Sequence, residues 1–486
     1  MHDKIKKAIL ILIWIYIIIR AYSVLITHDE AYSFLLIKTN YLKAMAGTAN
    51  THWLNSLGMK IGYILFGHEP WQLRIFSMLA WPVYGFSALK ISAGLRSRFL
   101  GWALFCALIL NPFLLDFFSL ARGYGLTCAF TLASIWKITE ALNKQSVEDR
   151  QWQAALVFGM LALFSNYTSL YYFIAIITVF IFFNLLERNW KALWQPKYIN
   201  WYVITLGAGL FAVANLLFIK LYTGDLEYGG DTDLIGSLFG SMVNGILYFR
   251  GSASLANILT YVLVILLSAS VVYSFFWYVK HKRVTSFIYL SATLFFILLL
   301  NLAFHLLFGT PYLYSRTTLM LYPSIVTVLF LFFDAIEFRK LRITYMHVGL
   351  SVSVMLMFII HFFSTLNFKY CFEWKQQAES KECFDYLVKL NAHNVLTHEW
   401  HYGVYLNYYK VLDEEKYSFK PEKVTTREFV SIPDELYNKA THSDYALILP
   451  PYDLVKMRSK GLRFTVLKEF PITGSLIIEF TKDTEE

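Results

Sequence analysis

From near the N-terminus to about residue 364, long apolar runs recur between short polar connections. A bilayer core of roughly 30 Å takes about 20 mostly apolar helical residues to cross, and inside it a helix satisfies its own backbone hydrogen bonds. The runs predict spans near 8–26, 75–93, 99–118, 124–142, 153–167, 169–186, 201–221, 254–279, 285–308, 317–337 and 345–364, about eleven in all. Beyond residue 364 the period changes. A helix pattern at about 376–390 precedes a short strand at Asn394–Thr397 and a second helix at about 400–410. Strand-like runs follow at Tyr445–Leu449, Phe464–Phe470 and Ser475–Phe480, the last two joined by a turn at Pro471–Gly474. The expected fold is an all-α polytopic membrane bundle over residues 1–364, followed by a small α/β extra-membrane domain over 365–486.

Composition agrees with a lipid solvent: 57% of the 486 residues are hydrophobic and only 16% charged, with a mean hydropathy of +0.47. The net charge of +9 is distributed as a topology signal, because Lys and Arg in short loops resist translocation. Lys4, Lys6 and Lys7 place the N-terminus in the cytoplasm. Every second connection is then basic: Arg96 and Arg98; Lys144 and Arg150; Arg188, Lys191 and Lys197; Lys280, Lys282 and Arg283; Arg339, Lys340 and Arg342. This reading argues against nucleic-acid binding and puts the tail on the non-cytoplasmic side. No Ala-x-Ala cleavage site follows the first span, so it is expected to be a retained anchor. Of the four cysteines, Cys106 and Cys128 fall inside spans as small apolar fillers, whereas Cys371 and Cys383 share the outer side, either as free thiols or as a disulfide. No metal-ligand spacing and no internal repeat are present.

Candidate chemistry gathers in the outer connections. Thr27-His28-Asp29-Glu30-Ala31-Tyr32 puts two adjacent carboxylates at the end of the first span, where they either simply end a helix in solvent or do chemistry. The loop they open, 27–74, holds amphipathic segments at Tyr32–Leu42 and Trp53–Phe66, expected to lie along the interface and wall a cleft. Asp116 and Phe117 lead into Ala121-Arg122-Gly123-Tyr124-Gly125. There the arginine is either a snorkelling anchor or a phosphate fork, with the glycines allowing a ligand close to the backbone. Ser165-Asn166-Tyr167-Thr168-Ser169 and Thr310-Pro311-Tyr312-Leu313-Tyr314-Ser315-Arg316-Thr317 share that side. The acidic loop Asp225-Leu226-Glu227-Tyr228-Gly229-Gly230-Asp231 reads as a solvated connection or an acceptor contact.

Together, His28-Asp29-Glu30-Ala31-Tyr32, Asn50-Thr51-His52-Trp53-Leu54-Asn55, Ala121-Arg122-Gly123-Tyr124, Ser165-Asn166-Tyr167-Thr168 and Tyr314-Ser315-Arg316-Thr317 resemble the GT-C glycosyltransferases that use polyprenyl-phosphate sugars. These include the protein O-mannosyltransferases, the lipid A aminoarabinose transferase and a bacterial galacturonosyltransferase-like group. The resemblance covers about residues 1–365 and implies sugar transfer from a lipid-linked donor, with inversion at the anomeric carbon. The acceptor would be a glycan, lipid or protein on the non-cytoplasmic face of a bacterial plasma membrane. It implies Asp29 as general base and Glu30 as a partner that orients the acceptor or holds a cation. Arg122, Tyr124 and Arg316 would bind the donor phosphate, and His28, His52, Asn55 and Tyr167 would line the substrate site. Many relatives carry His-Pro-Pro where this chain has His52-Trp53-Leu54, a departure at Trp53 and Leu54 that leaves the role of His52 open. Such a donor needs no nucleotide site, no cofactor is required, and a divalent cation is compatible with the group without being demanded here.

Two other classes fit a many-span chain. A transporter or lipid flippase would place ionisable residues in mid-helix and often show repeated halves. The predicted spans have few, with Lys90, Lys137 and Glu140 near their cytoplasmic ends. A membrane scaffold binding through its outer tail would leave the long first loop and the arginines without a purpose. An outer-face polyprenyl-linked ligase is the nearest enzymatic rival, but it usually relies on a large outer loop late in the chain, which is absent here.

Overall fold

The computed structural model describes every residue except 1, 49–51, 144–148, 188–195, 223–227, 231–232, 337–340, 393, 398–399, 418–424, 427–444, 451, 460 and 482–486. Asn50, Thr51, Lys144, Arg188, Lys191, Asp225, Leu226, Glu227, Asp231, Arg339 and Lys340, singled out above, lie outside the described residues. Backbone contacts divide the chain into two compact units. The first holds Met1–Ile18, Leu42–Ile61 and Arg74–Leu366; the second holds Ile19–Tyr41, Gly62–Leu73 and Asn367–Glu486.

The first unit is helical, and every predicted span falls on a helix or a broken helix. Among the described residues six helices are long and apolar enough to cross a membrane, or eight if the bent pairs His2–Ser23 with His28–Thr39 and Arg98–Ile109 with Pro112–Phe118 each count as one. The chain is an integral membrane protein, with six to eight clear spans rather than an established eleven. The helices Ile75–Ala93, Gly123–Asn143 and Asp149–Ser165 occupy the other predicted spans without meeting that measure. Lipid-facing character is plain in Ala253–His281, whose most apolar window is only 22% buried and which exposes Ile258, Ile265, Phe275 and Phe276.

The 54° break at Leu110–Asn111 has a chemical cause. Pro112 has no N–H, so the carbonyl of Leu108 loses its helical donor. The Tyr84 hydroxyl donates to it at 3.0 Å, and the Tyr322 hydroxyl donates to Ala107 O at 2.5 Å. On the other side of the break, the Asn111 side chain accepts from the N–H groups of Phe113 and Leu114 at 3.0 and 3.3 Å, capping Pro112–Phe118. This short buried helix delivers Asp116 and the turn carrying Arg122.

The second unit contains a five-stranded sheet with strands β1 (Asn394–Thr397), β2 (Thr425–Thr426), β3 (Tyr445–Ile448), β4 (Phe464–Glu469) and β5 (Leu476–Phe480), in the order β2-β1-β3-β5-β4. β1 runs parallel to β2 and β3, while β5 is antiparallel to β3 and β4, with Ala446 opposite Ile478. Leu396, Ala446, Ile448, Met457, Leu476, Ile478 and Phe480 form its core. The predicted turn before β5 is present, with Gly474 at φ +73°. Its loop is pinned by Glu379, whose Oε2 accepts from the N–H groups of Ile472 and Thr473 and from the Thr473 hydroxyl at 2.9–3.0 Å. The helix expected over 376–390 is two pieces, a 3₁₀ segment Phe372–Gln377 and a helix Ser380–Lys389. The helix His28–Thr39 packs on Trp400–Tyr417 in this unit, with Phe34 edge-on to Tyr408 at 5.6 Å between ring centroids.

Candidate functional site

In the second unit, the carboxylate pair opens the helix His28–Thr39. Thr27 is its N-cap: Glu30 N–H donates to Thr27 Oγ1 at 3.3 Å, and Glu30 Oε2 accepts from Thr27 N–H and Oγ1–H at 3.0 and 3.1 Å. This reciprocal capping box satisfies donors that a buried helix start would otherwise strand. Glu30 is therefore engaged in building the turn, and Asp29 stands one residue before it. Both are buried, at 6% and 1% exposure for Asp29 and Glu30, yet each sits in the first turn, where the helix dipole favours negative charge. His28 Nε2 lies 3.4 Å from Asp29 Oδ1. Gln377, from the 3₁₀ segment of the tail, accepts from His28 N–H at 2.7 Å, and its amide nitrogen meets His28 Nδ1 at 2.5 Å.

Arg20, which the sequence reading passed over, is fully buried in the same unit. Its guanidinium donates to Asn367 O at 3.3 Å, Tyr370 O at 3.0 Å and Cys371 Sγ at 3.2 Å. A lone arginine inside the apolar run 8–26 was the available signal, since a charge there needs a partner. Gln377 carried no signal, because an amide in a polar tail is ordinary. Cys371 and Cys383 are both buried thiols and are not joined in a disulfide.

In the first unit, His52, Asn55, Arg122 and Tyr124 meet around the start of the Gly123 helix. Arg122 is 2% exposed, with its guanidinium 6.0 Å from the Tyr124 ring. Tyr124 is edge-on to His52 at 5.4 Å and to Phe117 at 4.9 Å. Asn55 donates to Ala121 O at 2.8 Å, which ties the helix Trp53–Phe66 to the arginine's turn. The glycines have a different purpose from the one expected. A Cβ on Gly123 would overlap the Ser165 carbonyl oxygen and crowd His52, and one on Gly125 would press on Phe117 O, so both serve close helix packing.

Tyr167 donates to Asn215 Oδ1 at 2.7 Å, and its turn touches the segment Ser315–Leu321, which also packs on the Gly123 helix. Arg316 lies 4.3 Å over the Tyr228 ring. Its turn is held by Ser315 N–H donating to Ser241 Oγ at 2.8 Å and by a two-way backbone bridge between Gly230 and Tyr312. Tyr248 donates to the buried Asp116 Oδ1 at 3.0 Å, a pairing that 132 residues of separation hide from sequence. Among the described residues no group of three or more His, Cys, Asp or Glu side chains is placed to hold a metal ion.

No protein-family model and no curated protein matches the sequence. Solved structures do match. A crystal structure of ArnT from Cupriavidus metallidurans bound to undecaprenyl phosphate aligns over 98% of this chain and 97% of its own, with a TM-score of 0.56 at 9% identity. Its apo form gives the same TM-score at 11% identity. The chain has the ArnT fold. The architecture expected from the motifs, a helical membrane bundle with a small α/β tail, is the one found. An oligosaccharyltransferase of Archaeoglobus fulgidus, in its apo form, aligns at 11% identity and a TM-score of 0.45 over 91% of this chain and 69% of its own. The ArnT likeness spans both units, including the segments 19–41 and 62–73 that the second unit draws from the first loop.

Proposed function

We propose that this chain is an inverting membrane glycosyltransferase that takes a sugar from a polyprenyl-phosphate donor on the non-cytoplasmic side of a bacterial plasma membrane. The N-terminus would lie in the cytoplasm. The observation that carries the proposal is a buried carboxylate pair directly after the first helix, in a chain that shares the ArnT fold end to end. That ArnT structure is described as bound to undecaprenyl phosphate, which supports the donor class.

In the proposed reaction an acceptor hydroxyl or amine gives its proton to Asp29. It forms a bond to the anomeric carbon as the bond from that carbon to the phosphate oxygen breaks, and the polyprenyl phosphate leaves with the electron pair. General-base help of this kind supplies roughly 100- to 10,000-fold in rate. Arg122 and Arg316 are assigned to the phosphate, because fixed guanidinium charge favours the leaving group, with Tyr124 as hydroxyl donor. Glu30 holds the turn that aims Asp29. His52, Asn55 and Tyr167 are assigned to the substrate site. Glycan, lipid and protein acceptors all fit this chemistry.

Mass spectrometry of lipids retained by the protein in mild detergent, followed by a transfer assay with the lipid identified, tests the proposal. A bound polyprenyl phosphate or its glycosylated form, with turnover lost in Asp29→Asn, is the expected result. Failure of added polyprenyl phosphates to bind would reject the donor assignment.

A further inference from the structure

We infer that Gln377, a residue of the C-terminal tail, is a positioning residue that fixes the protonation of His28 beside the candidate base Asp29; the mechanistic consequence rests on the function proposed above. In the 3₁₀ segment Phe372–Gln377 the buried side chains are Trp374 and Gln377, and Gln377 is 2% exposed. Its amide orientation is fixed chemically. The backbone N–H of His28 can only donate, so the group 2.7 Å from it is the Gln377 carbonyl oxygen.

The Gln377 NH₂ group then faces His28 Nδ1, and an amide NH₂ can only donate. Nδ1 must therefore carry a lone pair, and the single proton of neutral His28 sits on Nε2, facing Asp29 Oδ1 at 3.4 Å. A second proton, on Nδ1, would set two donors against each other in a part-buried site.

The arrangement keeps an N–H beside Asp29 while disfavouring a full imidazolium. That difference matters for a base, because a neighbouring cation stabilises a carboxylate and weakens its proton affinity, whereas a neutral N–H orients it at smaller cost. Arg20 anchors the same stretch of tail through Asn367, Tyr370 and Cys371, so the segment that carries Gln377 is held at two points by residues from 20–28. The tail thus contributes to the catalytic turn instead of only standing beside it.

The test uses full-length protein in detergent with ¹⁵N-labelled imidazole rings. The chain has 12 histidines, and the His28 signals are identified by their loss in His28→Gln. In the wild type, His28 is expected with bare Nδ1 and protonated Nε2. In Gln377→Glu, which keeps the shape but turns an acceptor toward the ring, Nδ1 should become protonated. In Gln377→Leu the preference should be lost. A wild-type His28 protonated at Nδ1, or a Gln377→Glu spectrum unchanged from wild type, overturns the inference regardless of activity. In the transfer assay both Gln377 variants should lower kcat by about 10- to 100-fold with little change in donor KM, the size typical of outer-shell partners. Wild-type turnover in both would reject the positioning role. If instead Asp29→Asn keeps full turnover while the His28 signals respond as expected, the general-base reading fails and the assignment of the His28 proton stands.

Discussion

At the scale of single residues, neighbours in sequence have different duties. Asp29 and Glu30 read alike as a carboxylate pair, but only Glu30 closes the capping box with Thr27. Glu30→Gln should keep most transfer activity, because an amide also serves that cap, whereas Asp29→Asn should lose about 100-fold or more. Side-by-side kcat values decide, and equal losses would contradict this division of labour. Gly123→Ala gives a second contrast. Alanine in a helix is ordinarily worth up to about 1 kcal/mol over glycine, but here the new methyl meets a backbone carbonyl that cannot move aside. Overpacking of this kind costs about 1–3 kcal/mol, so thermal unfolding in detergent should show a lower midpoint. The cysteines were open in the sequence and are decided by burial. Cys383 is 2% exposed, and desolvation, reinforced by Glu379 and Glu382, pushes its thiol pKa upward, against a smaller opposing pull from Lys468. Thiolate is the reactive form, so Cys371 and Cys383 should count as free thiols that react with maleimide only after denaturation; an intact-mass shift for a disulfide would refute this.

At the scale of elements, the long apolar helices were legible because one period of hydrophobicity covers 20 or so residues. Their interruptions were less so. The run 99–118 reads as one span, yet Pro112 and Asn111 end one helix and cap the next, and two tyrosines from distant helices take over the stranded carbonyls. Tyr84→Phe should therefore leave Leu108 O without its hydroxyl donor and cost about 1–3 kcal/mol. An unchanged unfolding midpoint would argue that the break carries no such debt. The tail's strands were legible from their alternation and the Pro471–Gly474 turn. Its first helix was read as continuous because nothing local announces the break near Ala378, where Glu379 turns to hold the β4–β5 loop.

At the scale of the whole molecule, the second unit is built from three separated stretches, 19–41, 62–73 and the tail from Asn367. Arg20 donates to Tyr370 O and His28 N–H to Gln377, both in that tail. A chain ending at Leu366 should still insert in membranes, since its apolar helices remain, but should lose transfer activity with the Arg20 and His28 partners gone. Membrane fractionation alongside the transfer assay reads both, and an active truncated protein would sink the idea. The sequence by itself determined that the chain enters a membrane, roughly where its helices lie, and that an α/β tail follows. Each of these is a local pattern of period, charge or turn chemistry. Only the tertiary structure decided that Arg20 is a buried clamp, that Gly123 exists for packing, that Asp116 pairs with Tyr248 and that Gln377 faces His28. These depend on contacts between residues many tens to hundreds of positions apart, and no local periodicity encodes which distant donor will reach a given buried acceptor.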